Sequence, residues 1–204
     1  MNYRDHNFTV DEIKKQKRID RQNFWYQTIL SVTTWGIVFS LLLLQSLLLW
    51  NQAWKASPTV TEVSHFGAIK YYWTMGYFDV FNANPPLTRM IAGLPYYAYN
   101  NTNDFGGSWS DYSSNPADRC EYAIGLNQVL NVPSTDIRVI VFAARVCLIP
   151  LIIFGSYIGF KFATELYGFC AGIIFLFLWT ASPLVVGWGA TLCTDIPQSL
   201  AMPI

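Results

Sequence analysis

The chain has 204 residues, of which 52% are hydrophobic and 13% charged, and its 13 Lys and Arg balance 13 Asp and Glu. An ordinary soluble domain carries roughly 25% charged residues, so the composition marks a membrane protein. Zero net charge excludes an overall field that would gather nucleic acid or an acidic partner.

In chain order, residues 1–27 read as a basic cytoplasmic tail holding Arg4, Lys14, Lys15, Lys17, Arg18 and Arg21. Residues 28–50, "TILSVTTWGIVFSLLLLQSLLLW", are uncharged and match the ~20 residues a helix needs to cross ~30 Å of hydrocarbon. Basic residues cluster before this span and only Lys55 follows closely, which places the N-terminus in the cytoplasm. A cleaved signal peptide is the competing reading, but the apolar core exceeds the usual ~7 to 15 residues and no clear A-x-A site follows.

Residues 51–140 form an outer, periplasmic or luminal loop. Within it, Val63, Phe66, Ile69 or Lys70, and Trp73 recur at helical spacing and predict an amphipathic interfacial helix from about Glu62 to Met75. Pro85 and Pro86 can start a second short helix but cannot lie inside one, and Leu87, Met90, Ile91 and Leu94 mark its apolar face. The Asn-, Ser- and Gly-rich stretch from Tyr99 to Gly125 reads as a surface loop, with a formal glycosylation sequon at Asn100-Asn101-Thr102. Residues 141–161 and 168–190 read as spans two and three, joined by a tight "KFATELYG" turn. Gly155 and Gly159 form a small-xxx-small pair suited to helix packing. Residues 191–204 lead into what reads as a further helix, so the chain is expected to be part of a longer polytopic protein.

Taken in order, "TEVSHFGAIKYYWTMGYFD", "NPPLTRM", "ARVCLIP", "ELYG" and "TDIP" resemble the multi-spanning glycosyltransferases of the GT-C fold. The similarity is to the family that includes protein O-mannosyltransferases and the aminoarabinose transferase acting on lipid A. It runs from about Trp25 to the end. The resemblance implies an all-α, polytopic transmembrane fold with amphipathic interfacial helices in the first outer loop, and a place in the bacterial inner membrane. It implies an enzyme that transfers a sugar, with inversion, from a polyprenyl-phosphate donor to an unidentified acceptor on the outer face. The implied partners are a lipid-linked sugar and the bilayer, without nucleic acid. No cofactor is implied with certainty, and a divalent metal is compatible with the family.

On that resemblance Glu62 and Asp195 are the catalytic carboxylates, one of them taking the acceptor's proton. Arg145 and Arg89 hold the donor phosphate, and His65 and Asn84 lie on the substrate loop. The first member of the family's acidic pair is matched by Thr61, which cannot act as a base near neutral pH. Glu62 reads equally as a helix-capping acid behind Thr61 or Thr59, Thr194-Asp195 as a plain helix start, and Arg145 as a side chain that snorkels to the outer interface or pairs with an acid. His65 at i+3 from Glu62 makes a pair, which is not a metal site. Cys120, Cys147, Cys170 and Cys193 show neither zinc nor disulfide spacing. The rival readings are a non-catalytic membrane scaffold and part of a transporter.

Overall fold

The computed structural model describes residues 10–76, 78, 81, 84, 86–95, 98, 120–131 and 134–192. The expectations resting on Asp195, Cys193, the sequon at Asn100 to Thr102 and the side chains of Lys70 and Cys120 lie outside them. Regular structure among the described residues is helical: α1 Val10–Lys55, α2 Val60–Met75, α3 Pro86–Ala92, α4 Cys120–Asn131, α5 Ser134–Tyr167, α6 Phe169–Ala181 and α7 Pro183–Gly189. The chain divides into a unit ending at Ser40 and a second, Leu41–Ile204, that holds the core.

Two helical stretches are long and apolar enough to cross a membrane, Val32–Lys55 and Ile137–Tyr167. A third arises if α6 and α7, bent by 60° at their junction, form one broken span. The predicted continuous third span is thus interrupted at Ser182-Pro183, because proline has no N–H for the helical ladder and its ring clashes with the preceding turn. Pro183 becomes the first residue of a new helix, where the missing N–H costs nothing. Helix α1 begins at Val10, within the basic tail, and runs on through the first span. The predicted "KFATELYG" turn shrinks to Gly168, whose φ of 89° falls where glycine is favoured. Gly168 leads directly into α6, and a Cβ on Gly159 of α5 would stand 2.6 Å from the Phe175 ring of α6.

Within the outer loop, α2, α3 and α4 build a packed layer. Phe66 and Ile69 of α2 and Ala92 of α3 form one core with Ile140, Val141, Ala144 and Leu148 from the first half of α5, and with Leu192. A second core joins α2 to α4 through Ala68, Tyr71, Tyr72 and Ile124, with Phe81 beside them. Gly67 and Gly125 let the α2 and α4 backbones touch: a Cβ on Gly67 would stand 2.9 Å from the Gly125 nitrogen, and one on Gly125 would overlap the Val63 carbonyl. A third core sets Leu49 and Ala53 of α1 against Ile149 and Ile152 of α5, with Ala190.

Two expectations change here. Helix α2 is not an interfacial helix with one apolar face, because every residue from Ser64 to Ile69 is buried. Helix α3 buries a face shifted from the one predicted: Thr88, Arg89 and Ala92 point inward, Met90 and Ile91 pack half-buried against the cores, and Leu87 and Leu94 are 63% and 48% exposed. Hydrophobicity alone misplaced that face, since an arginine occupies its centre. Helix α4 covers part of the stretch expected to be a surface loop.

A buried acid–arginine node

Helix α2 begins with a capping box. Thr59 Oγ1 accepts from the Glu62 N–H at 3.3 Å, and the Thr59 N–H donates to Glu62 Oε2 at 2.8 Å, satisfying two donors that a helix start leaves open. Glu62 is fully buried, and a buried carboxylate needs a partner. Arg145, 83 residues further along on α5, supplies it through a fork: Nε donates to Oε1 at 2.8 Å and Nη2 to Oε2 at 2.7 Å. The Leu192 N–H adds a bond to Oε1 at 3.1 Å.

Arg145 is as fully engaged as its partner. Nη1 donates to the carbonyls of Ala53 at 3.0 Å and Ala56 at 2.7 Å, and Nη2 to that of Ser57 at 3.1 Å. With the two bonds to Glu62, all five N–H groups of the guanidinium are used. Those carbonyls terminate α1, so the positive charge also meets the negative end of that helix. The node therefore ties the end of α1, the start of α2, the first half of α5 and the turn after α7 to one pair of charges. Of the sequence expectations for Arg145, pairing with an acid is the one the structure shows, while snorkelling and an open phosphate site do not fit a side chain that is 1% exposed and saturated by protein. Glu62 is the capping acid and more, and as placed its lone pairs are all occupied.

Thr61 is exposed while Glu62 is buried. Neighbouring helix residues point about 100° apart, so Glu62 cannot substitute from the next position for an acid at 61.

Arg89 lies in a second buried place. Its guanidinium sits 5.0 Å from the centroids of both the Tyr72 and Phe81 rings, and Nη2 donates to the Asn84 carbonyl. Nε and Nη1 find no hydrogen-bond acceptor among the described residues. Burial pushes the pKa of Arg89 down, and Tyr72 and then Glu121 draw it back up. Burial raises the pKa of Tyr72, and the Arg89 charge opposes that rise. Phe81, a non-glycine at φ 63°, is in a backbone region that costs roughly 1 kcal/mol or more. It is held there between Arg89 and the His65 ring, whose centroid is 4.8 Å away. His65 faces aromatics while Glu62 faces Arg145, so this pair does not present a shared metal position. Asn84 contributes its backbone to the arrangement. Among the described residues no three His, Cys, Asp or Glu side chains gather as a metal cluster would.

The structure thus brings Glu62 and Arg145 together and keeps Arg89, His65 and Asn84 in a separate aromatic cage. Sequence reading missed the carbonyls of Ala53, Ala56 and Ser57 as ligands of Arg145, since backbone acceptors leave no residue-type signal. No family model, curated protein or solved structure matches the chain.

Proposed function

We propose that the chain is a multi-pass membrane glycosyltransferase of the GT-C type, seated in the bacterial inner membrane. It transfers a sugar from a polyprenyl-phosphate donor to an acceptor at the outer face. The supporting observation is the node itself: three separate pieces of the motif order, "TEVSHF", "ARVCLIP" and the segment leading to "TDIP", converge on one carboxylate at the end of the candidate spans. In this reading Glu62 and Arg145 are positioning residues. Together they lock the backbone at Leu192, three residues before Asp195.

Asp195 is then the carboxylate that receives the acceptor's proton, and Arg89 supplies the buried positive charge toward the departing phosphate. Thr61 stands at the exposed position where the resembling family carries its base. A second reading, a non-catalytic scaffold, is favoured by the same saturation of Glu62 and Arg145 and by the missing acid at 61.

The test is turnover by the whole chain in proteoliposomes supplied with a panel of radiolabelled polyprenyl-phosphate sugars. Release of polyprenyl phosphate above that of empty vesicles supports the enzyme. A folded protein that turns over none of the donors supports the scaffold.

A further inference from the structure

A cavity of about 360 Å³ opens beside the end of α1, lined by Trp54, Lys55, Ser57, Pro58, Arg138 and Val141, with Arg145 also reaching it. Its place in the fold follows from side-chain pairing. Trp50 and Trp54 both meet Phe142 edge-on at 5.0 and 5.1 Å, and Arg138 lies 4.9 Å above the Trp54 ring. Advancing along α1 from 50 to 54 thus corresponds to retreating along α5 from 142 to 138, so the two helices run antiparallel. Lys55 closes one candidate span and Ile137 opens the other, which puts the cavity at a single membrane boundary. Trp50 and Trp54 are about half exposed there, at 51% and 47%, as the aromatic belt of a membrane protein is.

Among the described residues, the charge balance at this boundary is uneven. Glu62 compensates Arg145, whereas Lys55 and Arg138 are exposed and neither pairs with a carboxylate among the described residues. Lys55 and Arg138 therefore line a cavity whose wall also carries apolar and aromatic surface from Trp54, Pro58, Ile137 and Val141, beside Ser57 and the neutralised Arg145. Stacking on Trp54 orients the planar guanidinium of Arg138, and Lys55 adds a second positive charge to the lining. A ligand that fits carries one compact anionic oxygen cluster and an apolar body.

We propose that this cavity binds the phosphate of an anionic bilayer phospholipid, with Arg138 and Lys55 as its ligands and Trp54 against the glycerol backbone. The proposal does not depend on the glycosyltransferase reading. Attraction of a basic residue to an anionic membrane surface corresponds to about fivefold in affinity for each Lys or Arg.

Native mass spectrometry of the full chain, delipidated in detergent and titrated with phosphatidylglycerol or phosphatidylcholine of identical acyl chains, tests it. The expected result is retention of one phosphatidylglycerol with a preference of about tenfold or more over phosphatidylcholine. That preference should vanish in the Lys55→Gln/Arg138→Gln double variant and persist in a Lys17→Gln/Arg21→Gln control with the same change in net charge. Arg138→Lys, which keeps both charge and fold, should retain the lipid to an intermediate degree because the planar stack is lost. Equal retention of the two lipids, or an undiminished preference in the double variant, would overturn the proposal. So would displacement of phosphatidylglycerol by millimolar inorganic phosphate, which would make the site one for free anions. Displacement by stoichiometric prenyl monophosphate would equally overturn it, by assigning the cavity to a lipid carrier.

Discussion

Removing one charge of the Glu62–Arg145 pair leaves the other buried and unpaired. Loss of one partner from such a pair costs ~3 to 5 kcal/mol, so Glu62→Gln and Arg145→Met should each lower the thermal unfolding midpoint sharply. The Glu62→Gln/Arg145→Met double variant should be less destabilised than the sum of these singles, giving a coupling energy of about 1 to 3 kcal/mol in a double-mutant cycle. Additive effects would contradict a node built on mutual compensation. Gln45 poses the opposite case: it is fully buried on α1, and its amide O and N have no partner among the described residues. Gln45→Leu should therefore stabilise the folded chain in detergent by about 1 kcal/mol. At the exposed position 61, Thr61→Asp introduces a carboxylate without disturbing the core. With Asp195 taking the acceptor's proton, Thr61→Asp should leave turnover unchanged, and a rise on the order of 10²-fold would move the base to position 61.

Among the described residues, α2 and α4 cross with their backbones in contact at Gly67 and Gly125. Gly125→Ala drives a methyl into the Val63 carbonyl, and overpacking of this kind costs ~1 to 3 kcal/mol. Gly36→Ala has open space around the new methyl and should be neutral or slightly stabilising, since alanine is the better helix former by ~1 kcal/mol. Denaturant midpoints of the two variants measure the contrast, and equal effects would contradict the close crossing. This crossing was illegible in the sequence: glycines at 67 and 125 were neither near each other in the chain nor part of a spaced pair. By contrast, α1, α5 and the α2 start were legible, because an uncharged run, a helical apolar run and a Thr-x-x-Glu box each carry a local physical signal. The inward face of α3 was not, since Arg89 points inward only because Tyr72 and Phe81 on other segments receive it.

At the scale of the molecule, local signals gave the helical class and the membrane-spanning lengths, while the candidate site depended on long-range partners. Glu62 and Arg145 were both singled out from the sequence, yet their mutual engagement turns two reacting groups into a brace. The proposed glycosyltransferase divides its labour between that brace and Asp195. Its most direct test is donor turnover measured alongside thermal stability for the full chain in proteoliposomes, comparing the unaltered protein with Asp195→Asn and Glu62→Gln. Asp195→Asn should lose turnover by on the order of 10²-fold or more with an unchanged unfolding midpoint, and Glu62→Gln should lose stability first. Unchanged turnover in Asp195→Asn, or Glu62→Gln that keeps full stability while losing turnover, would contradict that division.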